Sequence, residues 1–135
     1  MIQDDFVMRQ IARLAQALRK VMGLRQAERL DDALQSLDEA YKDEFALDRA
    51  TLMMLSASSL RVLLAQNHAP EDLDALMGQL ALLLMEEGHI RAALGQQRQA
   101  AACWTRAASI LEGVAGNNET HMEALMQCRA LLTRV

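Results

Sequence analysis

LDDALQSLDEAY (residues 30–41) and QRQAAACWTRAA (residues 97–108) align without a gap. Small Ala33 and Ala100 fall together, then bulky Leu37 and Trp104, then small Ala40 and Ala107. Those positions share one face of an α-helix. Small residues let a neighbouring helix approach closely, and the bulky residue between them fills the groove. The two stretches start 67 residues apart, one short of two repeat units of about 34 residues.

Outward from these stretches, the helical period runs through the whole chain. In residues 3–22 the apolar positions Val7, Ile11, Leu14, Leu18 and Val21 make one stripe, with Arg9, Arg13, Gln16 and Lys20 opposite. Gly23 is the expected stop. A second helix is expected over 25–44, with Ala27, Leu30, Leu34, Leu37 and Tyr41 inward and Glu28, Asp31, Asp32, Asp38, Glu39 and Lys42 outward. Asp48 is placed to cap a third helix, Ala50 to Ala65, with Leu47 stapling onto Leu52. Only Arg61 is charged in that helix, so it needs cover on several sides.

Pro70 suits the first position of a fourth helix, and Glu71, Asp72 and Asp74 suit the positive end of its dipole. This helix is expected to reach Leu94, with a break at Gly88 as the alternative. Gly95 ends it. A fifth helix over 97–113 presents Ala100, Cys103, Trp104, Ala107, Ile110 and Leu111, and a sixth over 118–134 presents Met122, Leu125, Cys128 and Leu132. The expectation is one all-α domain over 1–135, its six antiparallel helices paired in three hairpins.

Composition agrees. Ala, Leu and Met supply 55 of 135 residues, whereas Ile, Val and Thr supply 13, which argues against a sheet. A folded chain of this size buries roughly 70% of its unfolded surface, so it needs no metal or disulfide staple. The net charge of -4, with no block of five like charges, gives no electrostatic footprint for nucleic acid. The N-terminal MIQDDFVMRQ has aspartates where a signal peptide needs positive charge. Inside the helices, charge-free runs stop at 11 residues, far short of a bilayer span. The reading is a cytoplasmic chain that engages no membrane.

The small–large–small pattern resembles the second helix of a tetratricopeptide repeat. The likeness is fullest over 81–114, where Gly88 and Gly95 match glycines of that repeat, and degenerate over 14–47. Glu87 departs from it, standing where leucine is usual, and the closing proline is missing. The segment IQDDFVMRQIARLAQALRKVMGL, followed by the charged helix at 27–44, is similar to an uncharacterised bacterial family of small helical proteins. That family opens on D-[FY]-[VI]-M-R-x-I and ends in a tetratricopeptide-like hairpin. The resemblance implies a right-handed stack of helical hairpins and carries no activity.

Candidate chemistry is sparse. Glu86 and His89 form an E-x-x-H pair, but di-iron bundles need a second pair and two further glutamates, so a solvated helix segment is the plainer reading. His68, in a connection, and His121, in a first helical turn, can titrate near neutral pH without doing more. Cys103 and Cys128 fall at one height in the last hairpin, and two buried thiols are preferred to a disulfide. Ser56, Ser58 and Ser59 lack a base at useful spacing and are expected to bond back to helix carbonyls or ease close packing. Met53, Met54, Met77 and Met85 read as core filling. Arg9, Arg13 and Lys20 read as a solvated face rather than a phosphate grip.

No catalytic, cofactor-binding or metal-binding residue is therefore assigned, and no enzyme is expected. The expected function is a protein-interaction scaffold, binding a protein or peptide partner or forming a homodimer; the tetratricopeptide resemblance implies a concave binding side lined by the first, third and fourth helices. The apolar surplus on the third and fourth helices points that way. The alternative is a small-molecule sensor or enzyme built in a helical bundle.

Overall fold

Side-chain caps and left-handed turns cut the chain into its helices. The computed structural model describes residues 2–116 and 118–134, with side chains from residue 6 onward. Among them are seven α-helices and no strand: α1 (Ile2–Gln26), α2 (Leu30–Phe45), α3 (Arg49–Met54), α4 (Ala57–Ala65), α5 (Pro70–Ala93), α6 (Gln97–Val114) and α7 (Glu119–Leu132).

Seven helices, rather than six, result from a break in the expected third one. Leu55 is extended, and the Ser56 hydroxyl accepts the Ser59 backbone N–H at 3.0 Å, opening α4 as a new helix. The break also has a packing cause. A helix apolar all round cannot bury every side against one neighbour. Dividing it lets Leu52 on α3 and Leu60 and Leu64 on α4 each reach the core. The Met53 carbonyl near the end of α3 accepts from Arg106 Nη2 at 3.3 Å. Asp48 caps α3 as its position implied, accepting the Thr51 N–H at 2.7 Å.

The first stop is also displaced. α1 passes through Gly23, because a single exposed glycine costs a helix only about 1 kcal/mol and Leu24 beyond it packs on the core. The turn comes at Glu28, whose φ of 61° is left-handed. α2 ends at Ala46 (φ 56°), where the N–H groups of Ala46 and Leu47 close onto the carbonyls of Lys42 and Tyr41.

α5 is the axis of the molecule. It packs against α1, α2, α4, α6 and α7, so its apolar surplus is consumed internally and asks for no partner. Its most extensive neighbour is α6, reached through the turn at Gly95 (φ 78°). Gly88 does not break α5. A Cβ there would overlap the Trp104 indole of α6, so the glycine is a seat for that ring. Gly78, ten residues earlier, seats the His121 imidazole of α7 in the same way. That seat turns α7: His121, Ala124 and Cys128 are buried, while Met122, expected inward, is exposed. Ala33, Leu37, Ala40, Ala100, Trp104 and Ala107, the matched positions of the two aligned stretches, are all buried. No described helix is long and apolar enough to cross a membrane.

Candidate functional site: buried carboxylates on the central helix

Glu86 and Glu87 sit on a helix with no polar face, and both are buried, Glu87 to 1% exposure. Isolated charges are very costly in such a place, so each must be paired and hydrogen-bonded. Successive residues on a helix point about 100° apart, and the two carboxylates accordingly find different partners.

Glu87 gathers four elements. Its Oε1 accepts from the Tyr41 hydroxyl of α2 at 2.9 Å. Its Oε2 accepts from Arg49 Nη1 of α3 at 3.1 Å, from Arg91 Nε one turn along α5 at 3.3 Å, and from the Cys103 thiol of α6 at 3.5 Å. Arg91 passes a further bond to Gln96 Oε1 at 2.8 Å. Glu86 accepts from Arg25 Nε of α1 at 2.8 Å. Its other oxygen lies 3.8 Å from His89 Nε2, and the His89 ring leans on Trp104 with 5.8 Å between centroids.

The surroundings keep the neighbouring groups neutral. Burial, reinforced by the Glu87 carboxylate, holds the Tyr41 hydroxyl protonated far above its ordinary range. The same two causes raise the Cys103 thiol, so it is a weak donor and a poor nucleophile at neutral pH. Burial lowers His89, with Arg25 acting in the same direction and Glu86 against it. Every oxygen of Glu87 already has a donor, which leaves it a structural anchor rather than a base facing a substrate.

Beside this cluster a cleft of about 250 Å³ opens between α3 and α6, lined by Arg49, Ala50, Met53, Gln99 and Ala102 with Glu87 and Cys103 at its floor. Among the described residues Arg49 is the one cation lining it.

The residues singled out from the sequence are dispersed. Glu86 and His89 come together, but Arg25 occupies the carboxylate, and among the described residues no group of three His, Cys, Asp or Glu is placed to hold a metal. His68 bridges α1 and α4, and His121 is buried on Gly78 with Nδ1 unpartnered. Cys103 and Cys128 are both free and buried. Ser56 caps a helix instead of bonding back to a carbonyl, while Ser58 and Ser59 are exposed. Of the four methionines assigned to the core, Met77 is buried and Met53 and Met85 pack against it, whereas Met54 is 85% exposed. Arg13 is paired with Glu44 at 2.9 Å, and Arg9 and Lys20 are exposed.

Buried polar groups are therefore more numerous than the sequence suggested. The legible signal was Glu87 and Arg91 at i and i+4 on a helix with no polar face. Tyr41, Arg49 and Arg25 lie too far along the chain to be assigned from spacing. No family model, no curated protein and no solved structure matches the chain.

Proposed function

We propose that the chain is a non-catalytic helical scaffold, tetratricopeptide-like in plan, that works by binding a protein or peptide partner or a second copy of itself. The observation that carries this reading is the outer face of α7. Met122 (46% exposed), Met126 (68% exposed) and Ala130 follow one another at four-residue steps along the last helix. The end helix of a helical stack ordinarily turns a polar face outward. A methionine stripe there suits an adaptable apolar contact. On α3 and α4, Met54 and Val62 (66% exposed) are further exposed apolar side chains. Cytoplasmic residence belongs to the same proposal.

The test compares the wild-type chain with the double variant Met122→Lys/Met126→Lys. Sedimentation across the micromolar range reads self-association, and capture from the native host reads partners. The scaffold reading expects one of the two to be lost in the variant while helix content is kept. A wild-type chain that stays a 15 kDa monomer and captures the same proteins as the variant would overturn the role given to α7. The sensor reading rests on the cleft above Glu87, which falls below the usual size of ligand pockets. A large thermal stabilisation by a metabolite, lost in Met53→Lys, would favour it instead.

A further inference from the structure

His68 lies where three helices meet, and its hydrogen bonds constrain its protonation. Its Nδ1 is 3.0 Å from the Leu64 carbonyl of α4, and its Nε2 is 3.2 Å from Gln10 Oε1 of α1. The buried Gln10 amide is oriented by a third bond, since its Nε2 donates to the Glu44 carbonyl at the end of α2 at 3.0 Å. A backbone carbonyl can only accept, so Gln10 must keep its NH₂ toward Glu44 and its oxygen toward the ring. Both ring nitrogens then face acceptors. All three bonds exist together only when both nitrogens carry hydrogen.

A neutral ring has one donor and one lone pair. It gives up Leu64, or it leaves a bare Nε2 facing the Gln10 oxygen, or Gln10 turns over and sets its oxygen against the Glu44 carbonyl oxygen. Each route loses one bond of the three. We propose that His68 is a proton-operated clamp, closed as the imidazolium, that ties the α4–α5 connection to α1 and through Gln10 to the end of α2.

Charged groups approach the ring from several elements. From α2, Asp43 and Glu44 line a cavity of about 290 Å³ on one side of the ring. From α5, Asp72 lines a cavity of about 340 Å³ on the other. Among the described residues, no lysine or arginine lines either cavity. Arg13 of α1 is held by Glu44 at 2.9 Å, and Arg61 of α4 is held by Asp74 at 2.8 Å. Opening the clamp frees the corner where Phe6 and Val7 face Asn67 and Ala69 across the larger cavity.

The test is a titration of the full chain, with ¹⁵N in the histidine rings and glutamine amides, from about pH 5.5 to about pH 8. His68 is assigned from the signals missing in His68→Gln. The clamp expects both ring nitrogens bonded to hydrogen at the acid end. It expects the Gln10 side-chain amide signals to move in step with the ring as pH rises. Backbone amides near Gln10 and Leu64 should then exchange roughly 2- to 10-fold faster, the equivalent of one net hydrogen bond. In Gln10→Met, which fills the space and makes neither bond, that step should vanish. Gln10 amide signals indifferent to the His68 titration, or a full exchange step retained in Gln10→Met, would overturn the clamp. Should the methionine variant fail to fold, the wild-type titration decides alone.

Discussion

Replacing Glu87 by leucine sets two lines of reasoning against each other. Leucine is the residue that the resemblance to a tetratricopeptide repeat would place there, and consensus substitutions commonly add about 0.5–2 kcal/mol. The hydrogen bonds predict the opposite sign. Arg49 is 38% exposed at its side chain and can turn to solvent. Tyr41 and Arg91 are buried and cannot turn to solvent, and Arg91 keeps only its bond to Gln96. An orphaned buried hydroxyl costs about 1–3 kcal/mol, and breaking a buried ion pair from one side costs about 3–5 kcal/mol in all. The apolar surface of leucine returns about 1–2 kcal/mol of that. The expected net loss is about 2–3 kcal/mol, against a total stability near 0.05–0.15 kcal/mol per residue. Urea unfolding followed by Trp104 fluorescence and far-ultraviolet circular dichroism reads it as a midpoint lowered by about 1 M at unchanged slope. Adding Arg91→Leu should restore much of the loss, because the penalty lies in the stranded guanidinium. An unchanged or raised midpoint in Glu87→Leu would refute the anchoring role.

Gly88→Ala should destabilise despite the better helix propensity of alanine, by about 1–3 kcal/mol, because a Cβ meets the Trp104 indole; thermal unfolding checks the sign. Ser56→Ala should cost about 1 kcal/mol and raise amide exchange chiefly in α4, whose first turn it caps. Burial lowers His121 below its ordinary value near 6.5. Its contribution is therefore full above that value and is lost as pH falls through it, because the unfolded chain takes up the proton first. His121→Leu should accordingly flatten stability against pH between about pH 7.5 and pH 5. Cys103 is raised by burial and by Glu87, and burial pushes Cys128 up to about 11. Neither thiol should alkylate in the native state near neutral pH; both should react at the rate of unfolding, followed by mass spectrometry.

Punctuation residues made the long helices readable. Pro70 and Gly95 bracket α5, and Asp48 caps α3. The small–large–small residues are buried because their spacing already encoded a close helix contact. Ser56 was harder, since a serine inside an apolar run has the signature of both a helix interior and a cap, and only the division of Leu52 from Leu60 and Leu64 selects the cap. Gly23 misled because glycine permits a stop without imposing one, and Leu24 keeps the helix going. The buried carboxylates were the least legible part of the site. Charge on a sequence reads as solvent exposure unless its partners are near, and Arg25 is 61 residues from Glu86. The Gly78 seat was silent too, since nothing local distinguishes it from an ordinary weak spot in a helix.

Two ring-bearing notches on α5 also fix a length. Gly78 and Gly88 are ten residues apart, roughly 15 Å along the axis. α6 leaves Gly88 at Trp104 and runs ten residues to its end at Val114. It therefore turns back level with Gly78, and the first turn of α7 delivers His121 there. The chain measures the same interval twice, once up the central helix and once down its neighbour. Adding or deleting a single residue between Trp104 and His121 would bring the imidazole to the wrong height and the wrong side, even within the connection between α6 and α7, a kind of segment where such changes are ordinarily harmless.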